Sequence, residues 1–253
     1  MRQSVLPCLL AALVLGIWQG FTASGWASPI LLPSPLLTAR WLYEAVRDGL
    51  LADALLVTLR RLLTGFALGL AGGLVLGVSL RVSALARRTL GLAALGLQTL
   101  PSVCWVPLAI LWFGQTEAAM IFVVVMGSLW AVSLAVKSAL EAVPPIYIQA
   151  ARVMGASGRQ LWAGVVLPAA LPQILAGAKL GWAFAWRSLM AAEIYVVVMD
   201  RFGLGQVLHF GRELNAMEQV LGVMLVIVLV GVLTDYCLFR PAENFFRRTR
   251  GLG

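Results

Sequence analysis

Long apolar runs alternate with short polar connections along this chain, and six runs approach the roughly 20 residues that span a bilayer core as a helix. They lie near 5–22, 56–80, 90–112, 118–137, 174–198 and 217–239. Two connections carry helical periodicity of their own. Leu36 to Leu51 sets Arg40, Glu44, Arg47 and Asp48 against Leu37, Trp41, Leu42, Ala45 and Val46, the pattern of a helix lying on the outer membrane surface. Residues 144–168 predict a helix pair. Pro144 and Pro145 suit a helix start, because proline there gives up an amide that would have no partner. Ile146, Ala150 and Val153, with Tyr147, Ala151 and Met154 alongside, form an apolar stripe. Gly155 is placed to stop the helix in a left-handed cap. Ser157 and Gln160 have the spacing of a capping box that starts the next helix, and Pro168 and Pro172 punctuate the entry into the fifth run. The expected fold is an all-α polytopic membrane protein of about six transmembrane helices, one domain over 1–253. The first span and outer amphipathic helix fill 1–55, the helical core 56–239 and a basic tail 240–253.

Composition agrees with that pattern. Hydrophobic residues make up 61% of the chain and charged residues 12%, with a mean hydropathy of +0.92; a soluble domain of this length could not hide so much apolar surface. Lysine and arginine in short loops orient a membrane chain. Arg2, the group Arg81, Arg87 and Arg88, the group Lys137, Arg152 and Arg159, and the tail Arg240, Arg247, Arg248 and Arg250 fall on one side. The other side is balanced or acidic, with Arg40, Glu44, Arg47, Asp48, Asp53, Glu117, Asp200, Arg201, Arg212 and Glu213. Both termini and the 138–172 loop are therefore expected in the cytoplasm. A net charge of +8 then fits anionic lipid rather than nucleic acid. The first run has a rival reading as a secretory signal peptide, from Arg2, the core Val5 to Ile17 and the small residues between Ala23 and Ser28. Cys8, Cys104 and Cys237 all sit in apolar runs without metal-ligand spacing, which predicts buried free thiols. His209, the one histidine, is expected on an outer loop, so a conventional zinc site is not.

The residues Gln149, Ala150, Ala151 and Gly155, followed by Val166-Leu167-Pro168, resemble the EAA loop of the membrane subunits of ABC importers. That pattern is Glu-Ala-Ala, three residues, Gly, and a hydrophobic-Leu-Pro ending, and Gln149 stands here in place of the acidic residue. Leu32-Pro33-Ser34-Pro35, Thr58 to Gly65, Pro101, Pro107-Leu108, Leu111-Trp112-Phe113-Gly114, Ala191-Ala192-Glu193 and Gly203-Leu204-Gly205 are similar to the nitrate, sulfonate and taurine branch of these permeases. The resemblance implies a coupling helix, carried by Gln149, Ala150, Ala151, Arg152, Gly155, Ala156, Leu167 and Pro168, that docks into a cleft on a separate ATPase subunit. It also implies a second permease copy, an extracytoplasmic substrate-binding protein, and a small anion such as a sulfonate, taurine or nitrate as the solute. ATP and Mg would be bound by the partner ATPase, with no cofactor in this chain, and the chain would reside in a bacterial inner membrane. No G-x-x-x-x-G-K-[ST], G-x-S-x-G or H-E-x-x-H motif occurs, so the chain is not expected to hydrolyse ATP itself. An ion-gradient-driven secondary transporter is the alternative; it calls for intramembrane carboxylates, for which Glu193 and Asp235 are the candidates near spans. A membrane enzyme would need a convergent His, Cys or carboxylate set, which the chain lacks.

Polar and small residues inside the runs complete the picture. Gly65, Gly69, Gly73 and Gly77 make a groove for close helix packing, either within the chain or against a second copy, and Gly177 and Gly181 repeat the spacing. A charge near a helix centre costs roughly 2.5–3.5 kcal/mol on insertion scales. Arg60, Arg61 and Lys179 are close enough to span ends to snorkel. Arg187 is not, and either lines a translocation path that attracts an anion or pairs with Glu193 or another helix. Arg187 and Glu193 are six apart, on different faces, which disfavours an intrahelical pair. Trp182, Trp186, Leu189 and Glu193 share one stripe that could face a cavity, making Trp186, Arg187 and Glu193 the candidate path residues. Trp105, Trp112, Phe113 and Trp130 read as interfacial or packing aromatics.

Overall fold

The computed structural model describes residues 2–25, 28, 30–199 and 201–249; Asp200 and Arg250, and the side chains of Arg2, Cys8, Arg247 and Arg248, lie outside the described residues. All regular structure among the described residues is helical. The elements are α1 (Arg2–Ala23), α2 (Pro35–Arg47), α3 (Leu50–Val82), α4 (Ala84–Thr99), α5 (Trp105–Phe113), α6 (Glu117–Glu141), α7 (Pro145–Val153), α8 (Gly158–Leu161), α9 (Leu167–Tyr195), α10 (Leu204–Glu213), α11 (Met217–Thr234) and α12 (Arg240–Thr249). Four stretches are long and apolar enough to cross a membrane: Leu50–Val82, Glu117–Glu141, Gly158–Tyr195 and Met217–Phe245. A fifth is the pair Ala84–Thr99 and Ser102–Phe113, bent by 101°.

That bend corrects the straight third span expected at 90–112. Pro101 disfavours a helical residue before it, and Leu100 is extended, with φ −69° and ψ 122°. The fifth span is corrected in the other direction. Pro168 and Pro172 do not end anything, because α8, a π turn at Trp162–Val166 and α9 form one unbroken helix. A proline ring clashes with the carbonyl four residues earlier, and widening the turn moves that carbonyl away. The π turn stops two residues before Pro168. A second π turn, Asp235–Phe239, stops two residues before Pro241. The same sequence device thus carries α11 on into α12.

One compact unit comprises Met1–Thr58 and Met199–Val230. Ser34 caps α2 through its Oγ, which accepts from the Leu37 amide at 3.3 Å, and Trp18 Nε1 donates to the Pro33 carbonyl at 3.0 Å. The helix ends at Arg47 rather than at Leu51, and Gly49 turns the chain into α3 with φ +81°. Gly222 of α11 packs on the Trp41 ring and Leu42. His209 lies in α10, not in a loop. The start of α10 is pinned by the Leu204 amide donating to Thr58 Oγ1 at 2.8 Å, and Gln219 Nε2 donates to the Val207 carbonyl at 2.7 Å.

The second unit comprises Leu59–Val198 and Gly231–Gly253, and α6 runs through its centre. Gly65, Gly69, Gly73 and Gly77 of α3 lie against Val124, Ser128, Val132 and Val136 of α6. A Cβ at Gly77 would fall 2.6 Å from the Ser133 carbonyl oxygen, so the two backbones meet there, as apolar helices in lipid must if packing is to hold them. From the other side, Gly177 and Gly181 of α9 press on Ala135 and Val132. Met120, Val123, Val124, Ala185 and Leu189 are fully buried where the helices meet. Of the stripe Trp182, Trp186, Leu189 and Glu193, the two tryptophans line a groove, with Trp182 edge-on to Phe66 at 5.1 Å, whereas Leu189 and Glu193 are buried in this core. Cys104 and Cys237 are exposed, not buried. In a membrane chain an apolar run marks contact with lipid as readily as contact with protein.

Candidate functional site

Three features of the second unit carry polar or exposed groups that packing does not require. The first is the 145–168 loop. Pro145 opens α7, and a complete Schellman motif closes it: the Ala156 amide donates to the Ala151 carbonyl and the Gly155 amide to the Arg152 carbonyl, both at 2.9 Å, with Gly155 at φ +85°. The next helix is not started by a capping box. Ser157 makes no side-chain cap bond, and its carbonyl accepts from the Gln160 amide instead, at 3.1 Å. One face of the loop is anchored. Ala151, Leu161, Val166 and Ala170 are buried with Val136, Leu140 and Val143 at the end of α6. The other face is bare: Gln149, Ala150, Arg152 and Gly155 are exposed, as are Ile146, Tyr147, Val153 and Met154, the last two at 89% and 80%. Ala156 and Pro168 are half-buried, and Leu167 is exposed.

The second feature is a charge cluster. Arg61 does not snorkel. Its side chain is 1% exposed and donates to Glu193 Oε1, itself 0% exposed, at 3.0 Å, and to Glu117 Oε1 at 3.4 Å. Arg60, 65% exposed, lies 3.7 Å from the other Glu117 oxygen. Three helices are tied by this cluster, since Arg61 sits on α3, Glu117 opens α6 and Glu193 is near the end of α9. Lys179, about one-third exposed, contacts Asp235 at 2.6 Å and Glu243 at 3.1 Å, with Arg240 on the other Asp235 oxygen at 3.3 Å.

The third is a cavity of about 260 Å³ lined by Gln98, Thr99, Leu100, Pro101 and Ser102 from the helix break, by Met126 and Trp130 of α6, and by Phe184 and Arg187 of α9. Arg187 Nε donates to the Ala183 carbonyl at 3.1 Å, and its guanidinium lies 4.8 Å from the Phe184 ring centre. A separate groove contains Trp186 together with Arg187, Lys179 and Asp235. The structure thus brings Trp186 and Arg187 together and places Glu193 in the charge cluster. Sequence reading missed Glu117 as a partner of Arg61, and missed Gln98, Thr99, Ser102 and Trp130 as companions of Arg187. Pro101 inside an apolar run was the available signal, since broken helices at membrane depth line cavities.

A helical membrane chain with a broken span beside a polar cavity, and a rigidly capped loop that leaves an apolar face bare, has the build of the membrane component of a multi-subunit transporter. Residues 69–251 match the family described as binding-protein-dependent transport system inner membrane component. The chain belongs to that family, and it is a multi-pass membrane protein. It is similar to a putative ABC transporter permease protein of Methanocaldococcus jannaschii, 30% identical over 253 residues, covering 97% of this chain and 92% of that one. A putative aliphatic sulfonates transport permease protein of Escherichia coli is 32% identical over 233 residues, covering 91% and 87%. Among solved structures, a chain of the MetNI methionine ABC transporter in an inward-facing conformation has a TM-score of 0.64 at 22% identity, covering 75% of this chain and 92% of that chain. That last likeness concerns the fold.

Proposed function

We propose that this chain is the permease subunit of an ATP-driven ABC importer for a small anion such as a sulfonate, taurine or nitrate, and that the 146–168 loop couples it to a separate ATPase. The observation that carries the reading is the two-faced loop: Ala151 of α7 and Leu161 of α8 are buried in one cluster with the end of α6, while Ile146, Tyr147, Val153 and Met154 stand bare. Gly158–Tyr195 is a continuous helix of 38 residues, a rod of about 57 Å at 1.5 Å per residue. From Gly158 onward a push passed on by α7 therefore travels along one helix to the level of Arg187 and Glu193. Free energy enters through differential affinity, the ATP-bound motor binding one state of the permease better than the other. ATP and Mg belong to the ATPase, a binding protein delivers solute from outside, a second copy of the chain completes the pathway, and both termini lie in the cytoplasm. The sulfonate relative and the cation at Arg187 support the anionic solute. Glu193 and Asp235, the carboxylates a gradient-driven carrier would use, are both held in ion pairs.

The test is co-purification of the tagged chain with a co-expressed ATPase, comparing wild type with Val153→Glu and Met154→Glu. Both side chains are exposed, so folding is retained. Losing an apolar contact worth roughly 1.5–3 kcal/mol weakens docking about tenfold or more, and the ATPase no longer co-elutes. Undiminished co-elution by the double variant would reject the loop as the docking site.

A further inference from the structure

The cavity at the helix break holds a pattern of donors that packing does not explain. Trp130 lines it, and its Nε1 is buried without a hydrogen-bond partner, whereas an indole N–H enclosed in protein ordinarily finds one. Beside it, the exposed Arg187 donates through Nε to the Ala183 carbonyl and lies over the Phe184 ring, which holds its guanidinium at the cavity wall. Among the described residues no carboxylate lines the cavity. Gln98 and Ser102 add an amide and a hydroxyl from the broken span, whereas the Thr99 hydroxyl already donates to the Gly96 carbonyl at 2.7 Å. The volume, about 260 Å³, lies below the roughly 300–1,000 Å³ of clefts for drug-sized ligands. Arg187 stands eight residues before the end of α9, about 12 Å along the helix at 1.5 Å per residue.

We infer that this cavity is a binding subsite for a small monovalent oxyanion, held by Trp130 Nε1 and the Arg187 guanidinium with Gln98 and Ser102 completing its donor set. One positive charge and no negative one selects a monoanion over a neutral solute. Two donors from different helices select an acceptor that offers at least two oxygens, as sulfonate and nitrate do. The bound anion bridges α6, α9 and the break at Pro101, so its arrival and departure are felt by the same long helix that reaches the loop. The inference rests on the proposed import of a small anion and deepens it.

Radiolabelled methanesulfonate, with unlabelled nitrate as competitor, serves as the probe in equilibrium binding to the full chain in phosphatidylcholine nanodiscs. The same preparations are scored for ATPase co-elution. Saturable binding is expected for wild type and for Trp112→Phe, a tryptophan outside the cavity. Trp130→Phe and Arg187→Gln each weaken it on the order of tenfold, the size of a lost hydrogen bond to a charged group, and Arg187→Lys retains part of the affinity by keeping the charge. Unchanged affinity in both Trp130→Phe and Arg187→Gln, or no saturable binding by wild type, overturns the subsite even where the ATPase co-elutes. Displacement of the probe by phosphatidylglycerol in the disc assigns the cavity to lipid and overturns it too. Variant-sensitive binding without ATPase co-elution upholds the subsite and sinks the coupling reading instead.

Discussion

Replacing Arg61 by methionine removes the cation from a buried cluster whose members come from three helices. Its side chain and that of Glu193 are 1% and 0% exposed and 3.0 Å apart. Removing one partner of such a pair costs about 3–5 kcal/mol, because the remaining charge stays desolvated, whereas replacing both by apolar groups is often neutral or stabilising. The two single variants are not equivalent. Glu193→Gln leaves Arg61 with Glu117 at 3.4 Å, a carboxylate 34% exposed and so partly solvated. Arg61→Met leaves Glu193 in the core without its cation. Arg61→Met therefore falls at about 3–5 kcal/mol and Glu193→Gln lower, near 2 kcal/mol, while the double Arg61→Met/Glu193→Gln recovers more than half of the Arg61→Met loss. For a chain of this length each 1 kcal/mol moves the melting temperature by roughly 2–4 °C, so Arg61→Met lowers it by roughly 6–20 °C. Denaturant unfolding in mixed micelles, followed by tryptophan fluorescence and run as a double-mutant cycle, reads the coupling directly. Additive effects, or a larger loss in Glu193→Gln than in Arg61→Met, would refute the reasoning.

Gly77→Val should cost at least 1–3 kcal/mol by overpacking, since a Cβ there meets the Ser133 backbone oxygen and the Val136 side chain, each at 2.6 Å. Gly96→Ala, inside α4 with nothing within 4 Å, does not lower the melting temperature and raises it slightly through the better helix propensity of alanine; equal losses at the two sites would disprove the packing account. Lys179→Met removes the contacts to Asp235 and Glu243, all three about one-third exposed. It should loosen α12, detected as faster amide exchange over residues 240–249 with α9 unaffected; uniform exchange across both helices would contradict it.

What the chain alone determined is local. Helical periodicity, the Pro145 start, the left-handed Gly155 cap and the spacing of Gly65, Gly69, Gly73 and Gly77 depend on residues a few positions apart, and each is present in the structure. The resemblance to importer permeases rested on the same kind of short-range pattern, and the family match agrees with it. Tertiary structure decided what depends on distant residues. Arg61 and Glu193 are separated by 132 positions, and no periodicity within α3 could show that its arginine turns inward. Lys179 finds Asp235 and Glu243 in the same way. Cys104 and Cys237 were misjudged because hydrophobicity loses its meaning as a guide to burial when the surroundings are lipid. Prolines mark weak points without saying whether the helix bends or widens: Pro101 bends its span by 101°, whereas a π turn absorbs Pro168. That choice belongs to the neighbours each helix packs against, and the cavity beside Arg187 exists only because of it.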